Sequence, residues 1–148
     1  MIHDESLPAA EECTCLAVRQ AARRITQFYD QHLAPAGLRV TQFSILATLA
    51  RSGPMTINEL AAMLVMDRTT LGRNVLPLQR DGLIAIAPGK KDRRSRELRL
   101  TPAGRKRLHG ARESWSRAQA SFAQIFGPGR TASLRASLHA VAAADLSV

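Results

Sequence analysis

Residues Gly89 to Arg107, GKKDRRSRELRLTPAGRKR, hold nine Lys/Arg against two acids, Asp92 and Glu97. The stretch lies between a short apolar run, Leu83–Ala87, and a long helical pattern that starts after Pro102. Leu83–Ala87 is short and rich in Leu, Ile and Ala, which reads as a strand. Glu97, Leu98, Arg99 and Leu100 alternate polar and apolar side chains, as a half-exposed strand does. The pattern predicts a hairpin whose loop is nearly all cation, and guanidinium groups on a loop suit a phosphate backbone.

The segment before the hairpin has helix-turn-helix spacing. Thr56-Ile57-Asn58-Glu59 is a capping box, and the helix it opens should bury Leu60, Ala61 and Leu64. Asp67 can cap a fourth helix that runs to Asp81, with Gly82 as its stop. Only Val65 and Met66 separate the two, as in a DNA-reading pair of helices. Pro77 inside the fourth helix removes one backbone bond and should bend it past the reading turn.

Flanking helices complete the scheme. From about Glu11 to Leu33 the apolar residues Val18, Ala21, Ala22, Ile25, Phe28, Tyr29 and Leu33 recur at a helical period, until Pro35 and Gly37. Thr41 can cap a second helix that ends at Gly53-Pro54. Thr101-Pro102 is an N-cap with Pro at the first helical position. The helix after it carries Leu108, Ala111, Trp115, Ala118, Phe122 and Ile125 at alternating steps of three and four, a coiled-coil-like seam. That seam is longer than one small lobe can bury, so a dimer is expected, with Trp115, Phe122 and Phe126 mostly in its core. Thr131 should start a last helix with Leu134, Leu138, Val141 and Ala142.

Charge is segregated along the 148 residues. Residues 1–65 hold five Lys/Arg and six Asp/Glu, residues 66–112 thirteen and four, and residues 113–148 three and two. The whole net charge of +9 therefore sits in the middle third, which favours a polyanionic partner. Aromatic residues are 4% of the chain and none lies in the basic third, so there is no stacking platform for unpaired bases and RNA is disfavoured. A non-sensing architectural nucleic-acid binder is the alternative from another class. No catalytic motif is present, neither HExxH, Walker A nor GxSxG, and no cofactor is expected. The N-terminus is acidic and lacks an apolar signal region, no run reaches a membrane span, and cytoplasm is the expected compartment.

Asp92-Arg93-Arg94 followed by Leu100-Thr101-Pro102-Ala103-Gly104, with Asp81-Gly82-Leu83-Ile84 ahead, resembles the wing signature of the MarR family of bacterial transcription regulators. The resemblance runs over about residues 11–146. It implies one mainly α domain over 1–148 with a small two- or three-stranded β-wing. Residues 40–101 would form a winged helix-turn-helix lobe, and 11–36 and 102–146 the long N- and C-terminal dimerisation helices. It further implies a homodimer on a palindromic operator in double-stranded DNA, often a repressor released by a small aromatic acid or by oxidation.

Candidate sites follow. Arg68, Thr69, Thr70, Arg73 and Asn74 at the start of the fourth helix suit base edges in the major groove. The plain alternative is that the threonines serve the first turn and Arg73 pairs with Asp67. In the wing, Arg94 suits a narrow minor groove, and Lys90, Lys91, Arg93 and Arg96 suit phosphates, with Asp92 orienting a neighbouring Arg. Arg19 and Arg23, four apart on one helix face, offer a carboxylate charge-assisted bonds. The resemblance places an effector pocket between the terminal helices and the lobe, with Arg19, Arg23 and His32 as its polar candidates and Phe43 and Trp115 as walls. A redox alternative uses Cys15 with Cys13. The run Cys15-Leu16-Ala17-Val18 to Tyr29 is similar to the peroxide-sensing branch of the family, which has further tyrosines where this chain has Arg19 and Val40. Cys13, Cys15 and His3 lack further ligands at a recognisable spacing, so no metal is expected.

Overall fold

A computed structural model describes residues 4–148, which leaves His3 outside the described residues. After a 3₁₀ turn at Ala10–Glu12 come α1 (Thr14–Leu33), a second 3₁₀ turn (Ala34–Ala36), α2 (Val40–Ser52), β1 (Met55–Thr56) and α3 (Ile57–Met63). Then follow α4 (Arg68–Arg80), β2 (Ile84–Pro88), β3 (Arg96–Leu100), α5 (Pro102–Phe126) and α6 (Pro128–Ala143). The mainly α architecture with a small β-wing is as the sequence predicts. The sheet has three antiparallel strands in the order β1-β3-β2, with Met55 opposite Leu98 and Ile84 opposite Leu100.

The lobe core forms where the inner faces of α2, α3 and α4 meet the sheet. Leu33, Ile45, Leu46, Leu60, Leu71 and Leu78 are fully buried, with Ile84 and Leu98 almost so. On α4 the buried residues are Leu71, Val75 and Leu78, at steps of four and three, so one stripe of the helix faces inward. The opposite stripe is left to solvent.

Several helix starts form as their local residues dictate. Thr56 Oγ1 accepts the Glu59 N–H at 3.2 Å while Glu59 Oε2 accepts the Thr56 N–H at 3.3 Å. Thr101 Oγ1 accepts the Gly104 N–H at 3.0 Å, with Pro102 at the first helical position. The expected cap at Thr41 does not form. α2 starts two residues earlier, with Arg39 at the cap position, because Asp30 of α1 accepts the Val40 N–H at 2.7 Å and Gln42 accepts the Arg39 N–H at 2.9 Å. Those two acceptors satisfy backbone donors at the new helix start. The expected start at Thr131 is likewise early. Pro128, with its fixed φ, opens α6, and Thr131 turns inward, 6% exposed. Leu64, expected in the core, is half-buried and packs on its edge.

Part of the α5 seam finds its partner within the chain. Ala111 and Ala118 are fully buried within the chain, and Leu108 and Trp115 pack on the lobe core. Trp115 stacks on Phe43 at 5.8 Å, and Phe122 meets Phe28 edge-on at 6.2 Å. A 3-4 spacing marks an apolar face without saying whose surface covers it, and here α1 and α2 of the same chain cover its part up to Phe122. The seam's last residue, Ile125, is left in solvent, as are Val18, Leu138, Val141 and Leu146 on the other terminal helices and the tail.

Candidate nucleic-acid interface

The first turn of α4 is fixed by Asp67. Its carboxylate accepts the Thr70 N–H at 2.8 Å and the Thr70 hydroxyl at 2.6 Å. The hydroxyl first, and the N–H second, hold the Asp67 carboxyl below its ordinary value. Thr70 is therefore engaged in the turn. Asn74 is also engaged, since its Nδ2 donates to the Thr70 carbonyl at 2.8 Å. Arg68, Thr69 and Arg73 stay exposed, and Arg73 forms no ion pair with Asp67. Of the five α4 candidates, three present free side chains outward and two spend a donor on their own helix.

Sequence reasoning missed Leu76. It continues the Thr69–Arg73 stripe at the next helical step and is 63% exposed. Its apolar character in a polar stripe was the available signal. The turn between α3 and α4 carries a second missed feature. Val65 has φ 51°, in the left-handed region that β-branched residues avoid, and it is exposed.

The wing is a designed turn more than a loose charge run. Gly89 N–H bonds the Ser95 carbonyl at 2.9 Å, and both the Ser95 N–H and hydroxyl reach the Asp92 carbonyl, at 3.1 and 2.7 Å. A Cβ on Gly89 would lie 2.4 Å from Ser95 Oγ and 2.6 Å from the Asp92 oxygen, so only glycine fits. Asp92 does not orient an Arg side chain. Its carboxylate accepts the Arg94 backbone N–H at 3.0 Å, a local Asx turn that outcompetes a flexible surface ion pair. Glu97 pairs with Arg99 at 3.5 Å, on the strand. Lys90, Lys91, Arg93, Arg94 and Arg96 are thus exposed and form no ion pair among the described residues.

The expected effector residues do not converge. Phe43 and Trp115 are stacked against each other and fill space instead of lining it. His32 packs on Phe28 at 4.6 Å and its Nδ1 lies 2.9 Å from the Phe28 carbonyl. Arg19 and Arg23 are exposed on the first half of α1 and form no ion pair among the described residues.

Cys13 and Cys15 are exposed free thiols at the start of α1. Cys13 is the N-cap, and its sulfur accepts the Leu16 N–H at 3.4 Å. Tyr29 does not support Cys15 within the chain. Fourteen residues of helix separate them, about 21 Å, and the Tyr29 hydroxyl donates to Gln119. Among the described residues no three His, Cys, Asp or Glu side chains gather as a metal site would need, and no single helix is long and apolar enough to cross a membrane.

Comparison with known proteins places this geometry. A sequence model described as the MarR family matches residues 36–95, the lobe up to the wing loop and without β3. The transcriptional activatory protein BadR of Rhodopseudomonas palustris is 35% identical over 89 residues, 58% of this chain and 51% of its own, so the match spans about half of that relative's length. The crystal structure of the M. tuberculosis transcriptional regulator MosR in complex with DNA is 37% identical, covers 88% of this chain and 93% of its own, and has a TM-score of 0.77. The transcriptional repressor CouR bound to a 23-mer DNA duplex is 27% identical over 90% of this chain and 99% of its own, with a TM-score of 0.79. A relative above 30% identity, matched over nearly its full length, carries the inference beyond fold. The chain belongs to the MarR family of winged helix-turn-helix transcription regulators.

Proposed function

We propose that the protein is a homodimeric, sequence-specific regulator that binds a palindromic operator in double-stranded DNA and represses transcription until a small aromatic carboxylate releases it. One observation carries the DNA reading. The outer face of α4 and the wing hold Arg68, Arg73, Lys90, Lys91, Arg93, Arg94 and Arg96 exposed and unpaired by acids among the described residues. Surface cations without partners are the side chains that gain most when phosphates replace counterions. Arg68, Thr69 and Arg73 meet base edges in the major groove, while Thr70 and Asn74 hold the turn that presents them. Arg94 enters the minor groove and the other wing cations contact phosphates. MosR and CouR, both similar to this chain, have structures in complex with DNA and bound to a 23-mer DNA duplex, respectively.

The dimer reading rests on the terminal helices. Val18, Ile125, Leu138, Val141 and Leu146 leave an apolar surface uncovered by the chain itself. A second copy that covers it sets two α4 helices for two half-sites. Selection from a random duplex library tests the whole reading. Enriched sequences should be two-fold symmetric, with half-sites about 10 bp apart. Enrichment without symmetry sinks it.

A second reading rests on the cap at Cys13. Two exposed thiols one residue apart can pass two electrons to an organic hydroperoxide, forming a disulfide, an alcohol and water. The Cys13 sulfur then leaves the Leu16 N–H and uncaps α1. If organic peroxide releases the wild type, Cys13→Ser/Cys15→Ser abolishes that release and no carboxylate acts, this reading replaces the first signal and leaves DNA binding intact.

A further inference from the structure

Two residues of α4 are not explained by the packing of the chain itself. Of Leu71, Val75, Leu76 and Leu78, three are buried against the lobe core, and Leu76 alone is left in solvent, 63% exposed. Gly72, one turn earlier, lies in the helix interior, where glycine weakens a helix relative to alanine. Its backbone does not require glycine, because its φ is negative. Nor does its packing, since nothing lies within 4 Å of the place a Cβ would take. Such a glycine suits a close approach from outside the chain. Gly110 on α5 is equally open, so openness alone decides nothing, and the neighbours of Gly72 are what matter.

Thr69 stands three residues before Gly72, Arg73 directly after it and Leu76 four residues on, all exposed. Residues three and four apart are neighbours on a helix surface, about 5–6 Å between Cβ positions. Gly72 is therefore a notch beside the outward stripe, bounded at its C-terminal end by Leu76. Thr69 and Arg73 can hydrogen-bond to base edges. Leu76 has neither donor nor acceptor to offer them. Among the four bases, the major groove carries one apolar group, the thymine C5 methyl, and apolar side chains contact it. Apolar atoms in contact lie about 4 Å apart, and the notch is open to that depth.

We propose that Gly72 and Leu76 form a seat for the C5 methyl of one thymine in each half-site. The Leu76 side chain lies against the methyl, and the missing Cβ of Gly72 leaves the space that the methyl fills. The proposal rests on the reading above that α4 enters the major groove, and it adds a base identity to that reading. Leu76 selects by apolar contact and Gly72 by room, so the pair favours thymine over cytosine, whose C5 carries only hydrogen.

Anisotropy binding of the full-length protein on its selected operator tests this, with each thymine replaced in turn by uracil. Uracil keeps every hydrogen-bonding group of thymine and lacks only the methyl. The wild type should lose about fourfold at one thymine of each half-site, as the burial of one methyl group gives. Leu76→Ala should bind the all-thymine duplex about fourfold more weakly and be indifferent to uracil at that position. Gly72→Ala fills the seat, so it should bind the uracil duplex better than the thymine one. In thermal melts Leu76→Ala should match the wild type and Gly72→Ala should melt higher, which separates the seat from the fold. Symmetric binding with no uracil effect, or a uracil effect that Leu76→Ala retains, overturns the seat and leaves the α4 reading standing. A lower melting temperature for Gly72→Ala shows that the fold itself needs the glycine and overturns the seat as well. Failure to select any bound duplex overturns both.

Discussion

Thr101 Oγ1 donates a 2.6 Å hydrogen bond to the Gly82 carbonyl, across the open end of the wing hairpin. The same oxygen accepts the Gly104 N–H at 3.0 Å, and the Thr101 N–H bonds the Leu83 carbonyl at 3.1 Å. One residue therefore joins the end of α4, the wing and the start of α5. Gly104 completes the joint, because a Cβ there would lie 2.1 Å from the Leu83 oxygen. The Asp81-Gly82-Leu83 and Leu100-Thr101-Pro102-Ala103-Gly104 segments are two halves of one device.

Gly104→Ala should accordingly destabilise the fold by about 1–3 kcal/mol, since backbone must shift to admit the methyl. Gly110→Ala, on the same helix with nothing within 4 Å of the added Cβ, should stabilise by about 0.5–1 kcal/mol. Urea melts of the two variants measure both, and shifts of the same sign would contradict the packing argument.

Val65→Gly should raise stability. The left-handed backbone at φ 51° costs a valine roughly 1–2 kcal/mol, and glycine's extra chain entropy returns about 0.5–1 kcal/mol of that. A net gain of a few tenths to about 1 kcal/mol is expected in thermal melts. A lower melting temperature would mean that the valine side chain, though exposed, holds the turn.

The Asp67 cap predicts a pH response local to α4. Its carboxyl is held below the ordinary 3.8 by the Thr70 hydroxyl and N–H. The cap is complete above that value and is lost only as pH falls through the lower folded one. The Thr70 amide resonance should stay constant from neutral pH to about 4 and move below it. A midpoint above 3.8 would show that the cap does not favour the carboxylate.

Arg73→Ala and Arg94→Ala should differ in kind. Loss of Arg73 should cost on the order of 1–3 kcal/mol and relax preference at one base position. Loss of Arg94 should weaken every site and blunt an A·T preference beside the half-site. Asp92→Ala, which removes the acceptor of the Arg94 N–H, should produce a milder form of the Arg94 effect. Competition binding on single-base operator variants separates these outcomes, and equal, sequence-blind losses would reduce Arg73 to a phosphate contact.

What was legible in the chain was what neighbours in sequence decide. Thr56 with Glu59, Asp67 with Thr70, and Thr101 with Pro102 are caps whose partners lie within three residues. The hairpin followed from alternation and charge. What was not legible depended on distant partners. Asp30 reaches ten residues to cap α2 at Val40, so Thr41 misled. Trp115 finds Phe43 in its own chain while Ile125 of the same seam stays exposed, so the spacing marked an apolar face and not what covers each part of it. β1 is two residues long and exists through its pairing with Leu98 and Glu97.

The most direct test of the account is footprinting and anisotropy binding of the wild-type protein on its selected palindrome across a range of salt. The account predicts two-fold symmetric protection with half-sites about 10 bp apart, and a logarithmic affinity that falls linearly with the logarithm of salt concentration. Asymmetric protection, or an affinity indifferent to salt, would contradict it.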